Sequence, residues 1–183
     1  MTIRILGFAG SLRKNSYNKA TLRAAQGLVP EGAALEIYDL ASIPLYNDDV
    51  REKGYPPEVQ DFRSKIDAAD AILMVTPEYN YSISGVLKNA IDWASRPPGP
   101  PLGQKPCAIM GATQGMWGTT KAQHHLRQMC VFLDLWPVNK PEVLIAQAQN
   151  KFDAAGTLTD EATKKLIAEL MTALVAWTKR LKS

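Results

Sequence analysis

Histidine and cysteine are scarce: 183 residues carry two of each. His124 and His125 are neighbours, and neighbours on a helix diverge instead of sharing a face. Cys107 and Cys130 form no C-x-x-C pair. Cys107 sits in an apolar strand-like run and Cys130 in a helical one, so two buried, reduced thiols are expected. No metal site is expected. A long apolar run is also missing, which argues against a membrane span. The N-terminus places Arg4 inside its apolar run and lacks a small-residue cleavage site, unlike a secretory leader, so the expected location is the cytoplasm. Charge of either sign is modest, 21 Lys and Arg against 18 Asp and Glu. The cations are scattered and no aromatic platform accompanies them, which speaks against a nucleic-acid partner. Two nucleotide signatures are absent. Gly7 and Gly10 stand three apart with Arg13 where a dinucleotide fingerprint needs its last glycine, and no G-K-[ST] follows for a Walker loop.

What is present alternates. Short apolar runs occur at Ile3–Ala9, Leu35–Leu40, Ala71–Thr76, Cys107–Ala112 and Val143–Ala146. Runs of this length suit strands buried on both faces of a parallel sheet. Helical spacing fills the intervals: Ala20, Leu22, Ala25 and Val29 in 18–29; Val59, Phe62, Ile66 and Ala69 in 57–69; Val86, Leu87, Ala90, Ile91 and Ala94 in 84–94. The last helix sets Leu166, Leu170, Leu174, Trp177 and Leu181 on one face, with Asp160 and Glu161 at its start and Lys179, Arg180 and Lys182 at its end, as the helix dipole favours. The pattern predicts an α/β fold, a doubly wound five-stranded parallel sheet with helices on both faces, in one domain over 1–183. The proline-rich "RPPGPPLG" at 96–103 reads as a stiff surface connector.

In such a sheet, ligands bind beyond the carboxyl ends of the strands at the switch point. The loops there are the most unusual segments of the chain. "GSLRKNSYN" (10–18) offers the hydroxyls of Ser11 and Ser16, the fork of Arg13, the amide of Asn18 and the free N–H groups of a helix start, a grip for a terminal phosphate. The plainer alternative makes Ser16 an N-cap and Arg13 a solvated charge. "TPEYNYSISGVLKNAIDW" (76–93) flanks Asn80 with two tyrosines, suited to a planar heteroaromatic ring, although Pro-Glu-Tyr-Asn also makes an ordinary tight turn. "GATQGMWGTT" (111–120) has glycines that permit close backbone approach.

The first two of these motifs together resemble the NADPH-dependent FMN reductase family, which includes bacterial quinone and chromate reductases. The similarity continues through "RPPGPPLGQKP", "HHLRQMCVFLDL" and "FDAAGTLTDE". The resemblance implies a flavodoxin-like fold and non-covalent FMN, its phosphate held by Ser11, Arg13, Ser16 and Asn18. Pro77, Glu78, Tyr79 and Asn80 would border the isoalloxazine, with Thr113, Gln114 and Gly115 on its other side. NADPH or NADH would supply hydride, and the acceptor would be quinone-like, a flavin or a metal oxyanion. No catalytic side chain is implied; Glu78 would contact the ring through its backbone while its carboxylate serves structure. Tyr81, Gln114, Met116 and Trp117 depart from common family residues and border the acceptor space. A homodimer or homotetramer is also implied, with Pro44–Asp49 reaching a neighbour and Arg127 and Glu142 at tetramer contacts.

Two other classes share the architecture. A flavodoxin-type electron carrier would bind FMN here too, but such carriers are usually strongly acidic and this chain has a net charge of +3. A response-regulator receiver needs acidic residues where Phe8-Ala9-Gly10 and Val75-Thr76-Pro77 stand.

Overall fold

The computed structural model describes residues 2–182. Six parallel strands make one sheet: β1 (Ile3–Ala9), β2 (Ala33–Tyr38), β3 (Ala71–Val75), β4 (Pro106–Ala112), β5 (Trp136–Pro137) and β6 (Val143–Ile145). The order is β2-β1-β3-β4-β5, and β6 also pairs with β4. This is the strand order of flavodoxin-like doubly wound sheets. Ile5 lies opposite Ala71 across β1 and β3, and Ile72 opposite Cys107 across β3 and β4. β3 and β4 are buried along their whole length, which is why they read as continuous apolar runs.

The sequence predicts one fifth strand; the structure has two short ones on the same edge of β4. Trp136 pairs opposite Pro106, and Val143 opposite Met110. Two residues, one of them proline, carry no period-2 signal, so β5 exists only because β4 supplies its partner. Arg127 holds the connector between the two pieces, donating to the Val138 carbonyl at 2.9 Å. Glu142 on the same connector pairs with Lys140 at 3.3 Å.

Helices cover both faces. On one, α1 (Tyr17–Gln26) and α6 (Glu161–Lys182) pack on Ile5, Leu73, Val75 and Met110; on the other, α3 (Pro57–Ala68), α4 (Gly85–Ala94) and α5 (Thr120–Leu133) pack on Leu6, Phe8, Ile72 and Met74. A short α2 (Asp48–Arg51) lies in the polar segment that begins at Pro44. α1 ends at Gln26, so Val29 lies beyond it. The buried stripe of α6 runs through Thr163, Ile167, Leu170, Met171, Leu174 and Val175, and Leu166 stands exposed at its rim. The expected face is therefore rotated, because the sheet meets α6 through residues on both sides of the leucine row. Asp160 caps this helix by accepting from the Thr163 N–H at 2.9 Å.

The proline-rich connector is anchored, not merely stiff. Arg63 on α3 is buried and donates to five carbonyls: Trp93 (3.1 Å), Ala94 (3.1 Å), Arg96 (2.9 Å), Pro98 (2.7 Å) and Gly99 (3.1 Å). Burial lowers its pKa from the usual arginine value, yet a guanidinium with a full set of acceptors stays charged. Nearby, the fully buried Trp93 donates to Pro44 O at 2.8 Å and Asn89 accepts from the Tyr46 N–H at 2.7 Å, strapping the 44–46 segment to α4. Cys107 and Cys130 are free and buried. Its hydrogen bond to Cys130, and then burial, hold the Cys107 thiol well above the ordinary range, so it stays neutral and unreactive.

Candidate functional site

The crossover from β2 to β3 leaves a crevice beyond the carboxyl ends of β1 and β3, and the loops after β1, β3 and β4 meet there. Their contact is tight. The Ser84 hydroxyl donates to the Gly10 carbonyl at 2.6 Å while accepting from the Leu87 N–H at 3.2 Å, so the cap of α4 also binds the first loop. A Cβ on Gly10 would meet Ser84 Oγ at 2.6 Å and Leu87 Cβ at 2.8 Å, so only glycine permits this approach. Asn18 joins the first loop to the end of β4. Its Nδ2 donates to Ala112 O and its Oδ1 accepts from Ala112 N, both at 2.9 Å. Thr113 N–H continues the join, donating to Ile145 O at 2.9 Å.

Ten of the eleven sequence-predicted site residues lie on these loops and Asn18 in the first turn of α1, but their side chains differ in freedom. Ser16 caps α1, its hydroxyl accepting from the Lys19 N–H at 3.3 Å, which is the plain reading of that residue. Asn18 is committed to Ala112 and keeps one amide hydrogen for anything else. Ser11 is different. It is only 6% exposed, yet among the described residues its hydroxyl has no protein partner. No fully buried side-chain oxygen lacks a partner there, so the hydroxyl keeps some access to solvent. Arg13 and Lys14 are exposed and make no ion pair or side-chain hydrogen bond among the described residues. No acidic residue stands in the first turn of α1, so its N-terminal amides keep their positive potential.

The second loop is a tight turn from Tyr79 to Ser82. Tyr79 N–H donates to Ser82 O at 2.9 Å and Ser82 N–H to Tyr79 O at 3.0 Å. Asn80 has φ +51° and Tyr81 φ +66°, the left-handed pair a type I′ turn requires. Asn80 tolerates this readily; Tyr81 is strained there, and the turn throws both tyrosine rings outward, Tyr79 54% and Tyr81 71% exposed. Pro77 is buried against Gly10. Glu78 reaches to the third loop and accepts from the N–H groups of Lys121 (2.9 Å) and Ala122 (3.1 Å). Its carboxylate caps α5, whose own N-cap residue Thr119 makes no side-chain cap.

In the third loop Thr113 is half-buried, its hydroxyl accepting from Gly115 N–H at 3.3 Å, and Gln114 and Gly115 are exposed. Met116 and Trp117 project from it, 68% and 71% exposed, so Trp117 is no core residue. A Cβ on Gly111 would collide with the Thr119 hydroxyl and the Thr76 carbonyl. Sequence reasoning missed Ser84, although a serine just before an apolar helical run is a cap signal. It also missed Lys121, whose Nζ lies 3.3 Å from the Tyr81 ring centroid, and the 2.8 Å contact between Ser82 Oγ and His125 Nδ1. Nothing local marks either. Among the described residues no cluster of His, Cys, Asp or Glu could hold a metal ion, and no helix is long and apolar enough to cross a membrane.

The three helix starts thus differ in charge. The amides at the start of α5 are capped by a carboxylate and those of α4 by a hydroxyl, whereas α1 has no acid in its first turn and, among the described residues, Arg13 and Lys14 in the loop before it make no ion pair. A helix start without acid and with cations beside it is an electrostatically favourable place for an anion. Known proteins resemble this chain over nearly its whole length. An NAD(P)H-dependent FMN reductase of Pseudomonas aeruginosa is 57% identical over 98% of this chain and 97% of its own. An NADPH:quinone oxidoreductase of Arabidopsis thaliana is 48% identical over 98% of this chain and 93% of its own. The solved flavoenzyme FerB of Paracoccus denitrificans, an NAD(P)H:(acceptor) oxidoreductase, superposes with a TM-score of 0.88 at 33% identity, covering 98% of each chain. Residues 3–150, which hold all three loops, match the family model of that chemistry, and the chain belongs to the NADPH-dependent FMN reductase family.

Proposed function

We infer that this protein is an FMN-dependent NAD(P)H oxidoreductase that reduces quinone-like acceptors. The observation that carries the reading is the donor set at α1: a buried serine whose hydroxyl has no partner among the described residues, two cations that make no ion pair among them and a helix start without acid. This chemistry fits the dianionic phosphate of FMN. Ser11 and Arg13 would hold it directly, with the first amides of α1 and the remaining donors of Ser16 and Asn18. The backbone from Pro77 to Asn80 and from Thr113 to Gly115 would flank the ring, positioned by the Ser84–Gly10 and Asn18–Ala112 bonds. When bound, FMN supplies the relay of two electrons from a reduced nicotinamide to the acceptor; the protein supplies position and electrostatics. Glu78 does not act as a base, since its carboxylate holds α5. Tyr79, Tyr81, Met116 and Trp117 form the open wall against which nicotinamide and acceptor would stack.

The carrier alternative is disfavoured by the +3 net charge and by the kinship with reductases. We read 1–183 as one domain in the cytoplasm, acting as a homodimer or homotetramer. Leu45 at 86% exposure and Phe132 at 85% support assembly, since a second copy would cover side chains otherwise left in water.

Anaerobic mixing of the FMN-loaded protein with NADPH or NADH tests the reading. The flavin absorbance should bleach to the two-electron state and return on adding a quinone. A protein that neither nucleotide bleaches would be a carrier.

A further inference from the structure

Lys121 stands in the first turn of α5, facing the turn after β3. Its ammonium lies 3.3 Å from the centroid of Tyr81 and 5.8 Å from that of Trp117. Both rings are exposed, so the cation sits at the open mouth of the crevice. Among the described residues it has no ion-pair partner. The Glu78 carboxylate is spent on the backbone amides of Lys121 and Ala122. One turn on, His125 is turned to Ser82 and offers no negative charge. Ring contact fixes the ammonium without neutralising it, and an ammonium has three donors, of which a ring face engages only one side.

We propose that Lys121 is a specificity-determining residue that selects acceptors carrying a negative charge, in particular ring-hydroxylated quinones that are ionised at neutral pH. The proposal rests on the quinone-reductase reading above. A planar anion entering here finds aromatic walls for its ring and a single cation for its charged oxygen. The phosphate of a nicotinamide dinucleotide is the other anion that could meet this lysine. A tetrahedral phosphate is better served by the fork of an arginine than by one ammonium between flat rings, which favours the quinone.

The test uses the FMN-loaded protein, its Lys121→Met and Lys121→Arg variants, and two acceptors: lawsone, an anion at neutral pH, and menadione, which is neutral. Each is assayed with NADPH and with NADH, which lacks the extra phosphate. In Lys121→Met the kcat/KM for lawsone relative to menadione should fall about tenfold or more, the loss of one charge-assisted contact. Lys121→Arg should restore most of it, and added salt should weaken the wild-type preference for lawsone. Equal effects on both quinones would overturn the proposal. So would a loss confined to NADPH against NADH, which would assign the lysine to the donor, and so would loss of bound FMN from Lys121→Met. Wild-type protein that NADPH bleaches but menadione does not reoxidise would instead refute the quinone-reductase reading on which the proposal stands.

Discussion

Asn18 and Ala112 clasp each other across the ligand edge of the sheet, amide to backbone in both directions at 2.9 Å. One side chain thereby satisfies a buried N–H and a buried C=O on another strand and fixes the distance between the first and third loops. Asn18→Ala leaves both groups without partners and should cost about 2–4 kcal/mol, read by urea unfolding of the apoprotein. Unchanged apoprotein stability with weakened FMN binding would make Asn18 a ligand residue only.

Arg13 is the converse case. It has no partner among the described residues, so Arg13→Ala should leave unfolding unchanged. Loss of a charge-assisted phosphate contact should weaken FMN by about one to two powers of ten. Riboflavin, without phosphate, should bind wild type and variant alike; equal wild-type affinity for riboflavin and FMN would refute the phosphate assignment.

Glu78 caps α5, and its removal acts through that helix. Glu78→Ala should destabilise the protein by about 1–2 kcal/mol, since two first-turn amides lose a charged acceptor. The pH profile of kcat should keep its shape. A lost limb in that profile would reveal Glu78 as a general base.

Asp70 carries the clearest pH dependence. Burial alone would raise its pKa, but the Arg4 N–H at 2.7 Å and the Lys182 ammonium outweigh it and hold the carboxylate below its ordinary value. A depressed folded-state pKa stabilises at pH above the unfolded value and is lost as pH falls through the folded one. Asp70→Asn should therefore lower stability at neutral pH and flatten its decline below about pH 4. Parallel acid limbs for the two proteins would show that Asp70 contributes nothing.

Tyr81 and Trp117 both lie beside the Lys121 ammonium, which is 3.3 and 5.8 Å from their ring centroids. If nicotinamide and acceptor share one space there, double-reciprocal plots against NADPH at fixed quinone concentrations should be parallel, the ping-pong pattern. Intersecting lines would place the two substrates on separate surfaces. Trp117→Ala should change the ranking of quinones while the protein stays folded and yellow, because the side chain is 71% exposed and outside the core.

The elements legible in the chain are those whose signal is local. The apolar runs of β1, β3 and β4 and the spacing in α1, α3 and α4 follow from burial on one or both faces, which side-chain order along the backbone records directly. The positions of the three site loops follow as well, since the fold class places them at the strand ends. What each side chain there does was decided by tertiary structure. Ala112 meets Asn18, Glu78 meets the start of α5 and Arg63 meets the proline-rich carbonyls only after distant segments are brought together. β5 likewise has no period of its own and borrows its pairing from β4, and Lys121 becomes a cation over Tyr81 only because Tyr81 turns outward at positive φ. Periodicity reports how a segment faces the core. It carries no record of which polar groups the finished packing sets opposite one another, and at this site those pairings determine which donors are spent on the scaffold and which remain for the ligand.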